Sequence, residues 1–235
     1  MGIAYNNSIV RDGLVLHLDA ANPKSYPGSG TTWFDLSGQG SNGTILNGVG
    51  YSSENNGLFN FDGVNDYISV SNFNINSFTI CAFIKLNTLN RFHGIFGQAS
   101  SIWSNLSVAF RVINDNSLNL ALSASGNTST YSEISSSIKL TNNTWYFVCS
   151  TFSKPERKLY INGSLTESYI DFGLTDFNYD LFQSTSNIIL GGYAYGSGLS
   201  YLLSGSMPNI FYYNRALSDK EIQKNFNAMR DRYGI

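Results

Sequence analysis

Five glutamates are the side chains of this sequence best suited to acid–base chemistry on a glycosidic bond: Glu54, Glu133, Glu156, Glu167 and Glu221. A retaining glycoside hydrolase needs two carboxylates about 5–5.5 Å apart, one as nucleophile and one as general acid. Alternate residues of a strand face the same side, so Glu-x-Asp-x-Glu or Glu-x-Asp-x-x-Glu would serve. None of the five glutamates lies in such a pattern. We therefore expect no glycosidase activity.

Other catalytic motifs are equally absent from the sequence. It contains no Gly-x-Ser-x-Gly nucleophile motif, no phosphate-loop lysine motif and no His-Glu-x-x-His zinc motif. His17 and His93 are the only histidines, so a histidine metal cluster is hard to assemble. We interpret both as structural or exposed residues and predict a protein that is not an enzyme.

A calcium site is the metal site that the residue types favour. Asp35, Asp62 and Asp66 lie in glycine-rich segments, where backbone carbonyls can add to carboxylate oxygens as calcium ligands. The same segments also read as ordinary turns, in which an aspartate accepts hydrogen bonds from nearby backbone N–H groups. Both interpretations stay open, and calcium is the only cofactor that the sequence suggests.

Carbohydrate binding needs aromatic rings that cover apolar sugar C–H groups, together with amides or hydroxyls that bond sugar hydroxyls. The best candidate is the glycine-rich segment 191–201, which carries Tyr193, Tyr195 and Tyr201. Two weaker candidates combine a ring with an amide: Trp103 with Asn105, and Tyr131 with Asn127. Such loops also pack on their own sheet or on neighbouring subunits, and that alternative stays open.

Composition excludes several classes of partner. Charged residues make up 13 % of the chain and the net charge is -2, against about 25 % charged residues in a typical domain. A chain without a basic stripe is a poor binder of nucleic acid. Its apolar runs of about five residues are too short for membrane insertion, which takes roughly 18 or more. The abundant aromatic residues, at 14 %, argue against disorder.

Alternation of apolar and polar residues predicts an all-β protein. Clusters of Gly, Asn, Asp and Ser separate short alternating segments, and no repeated β-helix-β unit favours a parallel sheet. Eleven strand candidates suffice for a two-sheet antiparallel sandwich. They are Leu14–Leu18, Leu58–Phe61, Tyr67–Val70, Phe78–Leu86, Ile95–Gln98, Leu106–Ile113, Leu118–Ala124, Trp145–Phe152, Lys158–Ile161, Ile188–Gly191 and Ser206–Tyr213.

The end of the chain changes to a helical period. Ser218 and Glu221 form a capping-box pattern, which predicts a helix over residues 218–233. One helical stripe contains Ile222, Phe226, Met229 and Tyr233. We expect this stripe to pack on the sandwich, within a single domain of residues 12–235 that includes the irregular segment 22–56.

The two cysteines lie in apolar, strand-like sequence, Cys81 in Phe78–Phe83 and Cys149 in Tyr146–Ser150. Two cysteines are too few for a disulfide framework, so we expect buried free thiols. The beginning of the chain shows no basic region followed by a long apolar one, so no signal peptide is expected.

Several segments together resemble the laminin G-like branch of the concanavalin A-like lectin/glucanase superfamily. The resemblance covers about residues 13–222 and implies a jelly roll of two curved antiparallel sheets, used as a binding or adhesion module. Calcium at a loop rim is also common in related jelly rolls. The segments, in the family's order, are Gly13–Ala20, Trp33–Thr44, Phe61–Ile68, Phe78–Ile80, Trp145–Val148, Leu159–Gly163, Ile189–Gly192 and Tyr213–Ser218.

Two further segments, Asn22–Trp33 and Asn225–Gly234, are similar to versions found in structural proteins of tailed bacteriophages. That resemblance implies a non-enzymatic structural or adhesion protein of a phage particle, in capsid decoration or a fibre. Such a protein is made in bacterial cytoplasm, located in the virion, and bound to other virion proteins and copies of itself. The alternative is a lectin module that attaches to host or mucus carbohydrate.

The N-terminal residues 1–11 precede the first family-like strand. We expect them to form an extended arm that contacts neighbouring copies or another virion protein. The alternative is that Ile9 and Val10 add an edge strand to their own sheet.

Overall fold

A computed structural model describes residues 8–74, 76–99, 105–170, 180–195 and 198–235, without the side chains of residues 128, 194 and 195. Two eight-stranded antiparallel sheets form a sandwich, and one helix follows them. The predicted all-β jelly roll with a C-terminal helix is confirmed. No helix of the described ranges has both the length and the apolar character needed to cross a bilayer.

We call the first sheet sheet A. Its spatial order is β14-β13-β12-β7-β18-β5-β4, and β1 also pairs with the long strand β18. Its strands are β1 (Leu14–Asp19), β4 (Gly50–Ser52), β5 (Leu58–Asp62), β7 (Phe78–Leu86), β12 (Trp145–Ser153), β13 (Glu156–Ile161), β14 (Ser164–Ile170) and β18 (Ser204–Tyr213).

The second sheet, sheet B, has the order β11-β10-β9-β8-β15-β6-β3-β2. A separate hairpin of β16 (Tyr193–Tyr195) and β17 (Gly198–Ser200) follows its strand β15. The strands of sheet B are β2 (Thr32–Trp33), β3 (Gly43–Leu46), β6 (Tyr67–Val70), β8 (His93–Gln98), β9 (Val108–Val112), β10 (Ser117–Ser123), β11 (Tyr131–Lys139) and β15 (Ile188–Leu190).

All eleven predicted strands are present, but the edge strands β11 and β14 were missed. Their sequences, Tyr131–Lys139 and Ser164–Ile170, are rich in serine and have mostly exposed or half-buried side chains. These strands have few apolar residues, with Ile134 the one residue of β11 in the main core, so they lack the apolar alternation that reveals a half-buried strand. The irregular segment 22–56 supplies the short strands β2, β3 and β4, with Trp33 fully buried.

The main core fills the space between the sheets. Inward-facing residues from both sheets form it, among them Leu16, Phe61, Ile80, Phe110 and Tyr212. Because side chains alternate along a strand, the intervening residues point to the two outer faces of the sandwich. Each outer face has its own apolar cluster and its own cover.

Helix α1 (Asp219–Met229) covers the outer face of sheet A, and a 3-10 turn (Arg230–Arg232) follows it. Glu221 accepts a hydrogen bond from the Ser218 backbone N–H at 2.9 Å, which confirms the capping box. The hydrogen bond from Arg215 lowers the pKa of Glu221 to about 2. The predicted stripe is buried, in one cluster with Phe83, Phe147 and Phe211 of sheet A: Ile222, Phe226, Met229 and Tyr233.

The expectation of free thiols was wrong, since Cys81 and Cys149 form a disulfide bond. Strands β7 and β12 are neighbours, and their register places Cys149 directly opposite Cys81, with the Cα atoms 4.2 Å apart. Directly opposite side chains on one face of a sheet are within bonding reach. The disulfide forms because β7 and β12 are neighbours in this register. The spacing of the two cysteines in the sequence gives no information on strand order or register.

Ile9 and Val10 are buried against the cluster under helix α1. The Val10 backbone N–H donates to Asn225 Oδ1 at 2.8 Å, and the Tyr213 hydroxyl donates to the Val10 carbonyl at 3.0 Å. Side chains therefore hold this segment, which adds no strand to the sheet. The remainder of the expected arm, residues 1–7, lies outside the described residues.

Candidate functional site

The outer face of sheet B contains a buried arginine in the middle of an apolar strand. In β9, Val108, Phe110 and Val112 face the core, so Arg111 points outward. Register places Gly94 of β8 and Asn119 of β10 on either side of Arg111. Arg111 is only 4 % exposed, which is unusual for an arginine on an outer face. Its cover is the β16–β17 hairpin.

Two glycines allow that hairpin to lie directly on the sheet. A Cβ atom on Gly97 would lie 2.2 Å from the Cβ of Tyr193, and one on Gly94 would lie 2.5 Å from the Gly192 carbonyl carbon. Real Cβ contacts are never so short, because the atoms would overlap. The missing side chains of β8 thus create the space in which Tyr193 packs, fully buried, beside Arg111.

Arg111 is the centre of a hydrogen-bonded network. Its Nε donates to Asn119 Oδ1 at 2.9 Å, and one Nη2 proton goes to the Tyr131 hydroxyl at 2.7 Å. The other Nη2 contact is an ion pair with Glu133 Oε2 at 2.8 Å, and Nη1 donates to the Tyr193 hydroxyl. Buried charge is tolerated where it is paired and hydrogen-bonded in this way.

Aromatic rings surround the guanidinium. The Phe92 and Tyr193 rings have their centroids 5.5 and 5.4 Å from the Arg111 Cζ atom. Tyr201 packs against both of them in a tilted arrangement, with centroid distances of 4.4 Å to Phe92 and 5.0 Å to Tyr193. Phe92, Tyr131 and Tyr201 are half-buried, so each presents part of a ring to solvent.

Tyr201 has an unusual backbone conformation. Its φ is 52°, and the other eight non-glycine residues with positive φ in the described ranges are all asparagines. The left-handed region is disfavoured for a bulky residue and is enriched at functional sites. The Gly94 N–H donates to the Tyr201 carbonyl at 2.6 Å and holds this conformation in place.

Arg111 and its two tyrosine partners keep their protons over the physiological range. Burial raises the pKa of Tyr131 to about 12 and also raises the pKa of Tyr193. Burial alone would lower the pKa of Arg111, but the neighbouring Tyr193, Tyr131 and Glu133 side chains outweigh it and raise that pKa. The arginine is therefore charged, and both hydroxyls are protonated, at any pH near neutrality.

The structure brings together only some of the residues predicted to bind carbohydrate. Tyr193 and Tyr201 lie together at this site, and Tyr131 joins them from β11. Trp103 and the Tyr195 side chain lie outside the described residues, whereas Asn105 begins the segment that leads into β9. Tyr193 packs on its own sheet, as the structural alternative for this loop allowed. Asn127 bonds Ser125 and Ser129 within its own turn.

Sequence reasoning missed Arg111, Asn119, Glu133 and Phe92. The signal for Arg111 was present in part, because a lone arginine among alternating apolar residues of a strand points away from the core. That its outer face is covered, so that the charge needs partners, is known from the structure alone. Glu133 had no such signal, since its strand β11 is an edge strand with little apolar alternation.

The three aspartates expected at a calcium site do not form one ligand set. Asp35 Oδ1 accepts the backbone N–H groups of His17 and Ser37 at 2.9 Å. Asp35 Oδ2 accepts the Ser37 hydroxyl at 2.6 Å and the Ser41 N–H at 3.2 Å. These bonds fasten the loop to β1 and occupy both carboxylate oxygens, as in an ordinary turn.

Asp62 and Asp66 share the turn between β5 and β6, away from Asp35. Asp66 directly precedes Tyr67, the first residue of β6. Asp35 follows β2, which register places level with Val70, the last residue of β6. The two ends of β6 are roughly 10 Å apart. Within the described part of the chain, no three acidic, histidine or cysteine side chains gather as a metal site. Calcium held by Asp62 and Asp66 alone stays a prediction.

These two carboxylates differ in electrostatics. Hydrogen bonds from backbone N–H groups, above all that of Val64 at 2.7 Å, lower the pKa of Asp62. Burial raises the pKa of Asp66, which accepts the Asp62 N–H at 3.1 Å.

Solved structures with the same fold were found, whereas no curated protein sequence matches this chain. The binding domain of Paraclostridial Mosquitocidal Protein 1 has a TM-score of 0.70 at 18 % identity, over 93 % of this chain and 52 % of that one. The binding domain of Botulinum Neurotoxin DC in complex with SialylT has a TM-score of 0.66 at 18 % identity, over 93 % and 52 %. The chain thus spans about half the length of these binding domains.

A third structure is matched over nearly its whole length. Domain 4 of AbnA, a GH43 extracellular arabinanase from Geobacillus stearothermophilus, was solved in complex with arabinotriose. It has a TM-score of 0.69 at 16 % identity, over 90 % of this chain and 97 % of that domain. At such low identities these likenesses concern the fold.

The family comparison covers more than half of the sequence. The model of the family described as the concanavalin A-like lectin/glucanases superfamily matches residues 61–223, which contain β6 to β18 and the whole site around Arg111. This chain belongs to the concanavalin A-like lectin/glucanases superfamily.

Proposed function

We propose that this protein is a non-catalytic carbohydrate-binding module whose site is the outer face of sheet B around Arg111. One observation carries the proposal. The half-buried rings of Phe92, Tyr131 and Tyr201 lie beside outward-facing polar groups of β11, on a surface held in place by the hydrogen bonds of Arg111.

The chemistry of this surface suits a sugar. Half-exposed rings can cover the C–H face of a pyranose or furanose. Glu133 and Ser135 lie on the same face of β11 and can bond sugar hydroxyls. Arg111 binds residues from β10, β11 and the hairpin, so these groups are preorganised and lose little entropy on binding.

The arabinotriose complex of AbnA domain 4 supports the proposal, because that domain is matched over 97 % of its length. The complex of the botulinum binding domain supports it less. This chain covers only 52 % of that domain, so the bound molecule there does not locate a site here.

The absence of catalysis is also a proposal, supported by the partners of the glutamates. Glu133 pairs with Arg111 at 2.8 Å, Glu156 with Lys158 at 3.0 Å and Glu221 with Arg215 at 2.6 Å. Each of these three of the five glutamates pairs with a cation, whereas a retaining glycosidase places two carboxylates about 5–5.5 Å apart across one cleft.

A glycan array followed by titration calorimetry tests the function, with Tyr201→Asn as the decisive variant. Asparagine accepts the positive φ of this position, so the substitution removes the ring with little backbone strain. We expect at least a tenfold loss of affinity. Tyr51→Asn is the matched control, because Tyr51 is a tyrosine, 36 % exposed, on sheet A. Equal affinity of wild type and Tyr201→Asn would rule out this surface as the site.

As a second proposal, the module is a component of a bacteriophage particle, in capsid decoration or a fibre, made in bacterial cytoplasm and bound to other virion proteins and copies of itself. The resemblance of segments 22–33 and 225–234 to phage structural proteins supports it. Immunogold labelling of intact particles with an antibody against this domain is the test, and unlabelled particles would contradict the proposal.

A further inference from the structure

We infer that Glu133 makes the surface around Arg111 select against acidic sugars and favour sugars with a free amino group. The inference rests on the carbohydrate-binding function proposed above and concerns the class of sugar. It follows from an asymmetry between the two charges of the site. The Arg111 side chain is 5 % exposed, whereas that of Glu133 is 43 % exposed.

The Arg111 guanidinium is already bonded to acceptors of the protein itself. Four of the five N–H groups of the Arg111 guanidinium have protein acceptors, on Asn119, Tyr131, Glu133 and Tyr193. The Phe92 and Tyr193 rings lie 5.5 and 5.4 Å from its Cζ atom. A sugar carboxylate therefore cannot form the bidentate pair through which arginine normally recognises such a group.

The hydrogen bonds that Glu133 accepts within the described ranges all go to one of its two carboxylate oxygens. Glu133 Oε2 accepts hydrogen bonds from the Tyr131 hydroxyl at 2.6 Å, from Arg111 at 2.8 Å and from Asn119 Nδ2 at 3.3 Å. Across the described ranges no donor reaches its other oxygen, Oε1, and the side chain faces solvent. The charge that a bound sugar meets first is thus a carboxylate oxygen that still needs a donor.

The neighbouring polar group fits the same class of ligand. Ser135 Oγ accepts the Asn119 amide at 2.9 Å, and its own proton has no acceptor within the described part of the chain. A sugar beside β11 would therefore find one acceptor, Glu133 Oε1, and one neutral donor, the Ser135 hydroxyl.

Simple electrostatics ranks the possible ligands. An ammonium group on Oε1 forms a charge-assisted hydrogen bond, which is stronger than the bond from a neutral hydroxyl. A sugar carboxylate at the same place meets a like charge and loses its hydration without gaining a donor. The Arg111 guanidinium lies on the far side of Oε2 from such a carboxylate. Its attraction is therefore weaker than the repulsion from Glu133, because Coulomb energy falls with distance. Amino sugars should bind best, neutral sugars next and acidic sugars least.

The test uses an array on which each oligosaccharide scaffold appears in three forms: neutral, with a free amine, and with a sialic or uronic acid. On the scaffold that binds, we expect the amino form to exceed the acidic form at least tenfold in affinity. This preference should shrink when NaCl rises from 0.05 to 0.5 M, since salt screens exposed charges. The salt series needs only the wild-type chain.

Glu133→Gln sharpens the test, because it keeps the shape and removes the charge. We expect the amino and acidic forms to approach each other to within about threefold, since most of the charge preference comes from direct contact with Oε1. Glu54→Gln is the matched control, because it makes the same change of net charge at an exposed residue between β4 and β5 of sheet A. This variant should keep the wild-type ranking of the three sugar forms.

Two results would overturn the inference, and they are distinguishable. Acidic forms that bind as well as or better than amino forms would refute the role of Glu133 and leave carbohydrate binding intact. A chain that binds no form of any scaffold would refute the proposed function itself, and the inference with it.

Discussion

The two outer faces of the sandwich show two ways of covering a sheet. Helix α1 seals sheet A with an apolar stripe, and the disulfide lies beneath it. A short hairpin covers sheet B only in part, and a charged network lies beside a much smaller apolar cluster there. A sealed apolar face stabilises the fold and leaves nothing for a ligand to bond. The partly covered polar face gives up some of that stabilisation and presents ordered rings and acceptors.

Phe226→Ala should have the largest effect on stability. Phe226 is 5 % exposed and its ring centroid lies 5.8 Å from that of Phe147. Removing a buried phenylalanine ring costs about 3–5 kcal/mol of unfolding free energy. Urea unfolding measures the loss, and glycan affinity should not change because sheet B is untouched. Lys224→Ala, an exposed change on the same helix, should stay within about 0.5 kcal/mol. Equal stabilities of both variants would contradict the sealing role of the helix.

Acidification should weaken the face under the helix next. Burial lowers the pKa of His17 to about 4, and its ring lies 4.9 Å from that of Phe211. The unfolded chain takes up the proton near pH 6.5 whereas the folded chain does not. Stability is thus fully present above that pH and is lost as pH falls towards 4, by about 3 kcal/mol for this group.

Urea midpoints measured between pH 7.5 and 5 in wild type and His17→Phe check this expectation. The variant keeps a ring on Phe211 and should flatten the slope. Asp19, Asp35, Arg11 and Arg232 also act on His17, and burial lowers the pKa of His93 to about 4 as well, so part of the slope should remain. Identical slopes in both proteins would contradict the assignment to His17.

The sequence predicted the cover of sheet A but not the site on sheet B. The stripe of Ile222, Phe226 and Met229 was readable, because a helix brings residues three and four apart onto one side. The site on sheet B draws Phe92, Arg111, Glu133 and Tyr201 from separate parts of the chain. No local period connects residues that meet only through strand order and register.

Gly97→Ala should break the polar face with a smaller cost in stability. The new methyl group would lie 2.2 Å from the Tyr193 Cβ, so the hairpin must shift away from the sheet. Overpacking of this kind costs about 1–3 kcal/mol, and glycan affinity should fall more than tenfold as the Arg111 network is displaced. In Gly198→Ala, the matched control on the same hairpin, the new Cβ meets nothing within 4 Å, and both properties should be retained. Wild-type affinity in Gly97→Ala would separate the hairpin from the site.

Calcium should have the smallest effect, at the turn that joins the two sheets. With only Asp62 and Asp66 as carboxylate ligands we expect affinity of about 1 mM or weaker, so that 10 mM CaCl2 adds about 1.4 kcal/mol or less to the unfolding free energy. Thermal unfolding with CaCl2, MgCl2 or chelator measures it, and Asp66→Asn should abolish any calcium-specific shift. A melting temperature insensitive to calcium and chelator alike would eliminate calcium from this protein's cofactors.

The sequence by itself determined the class of fold and the closing helix, because strand alternation, turn residues and a capping box are local patterns. Tertiary structure alone decided three things. It placed Cys81 opposite Cys149, separated Asp35 from Asp62 and Asp66, and assembled the network around Arg111. Each of these depends on which strands are neighbours, in what register, and on how closely a hairpin can approach two glycines, and these are properties of the whole packed chain.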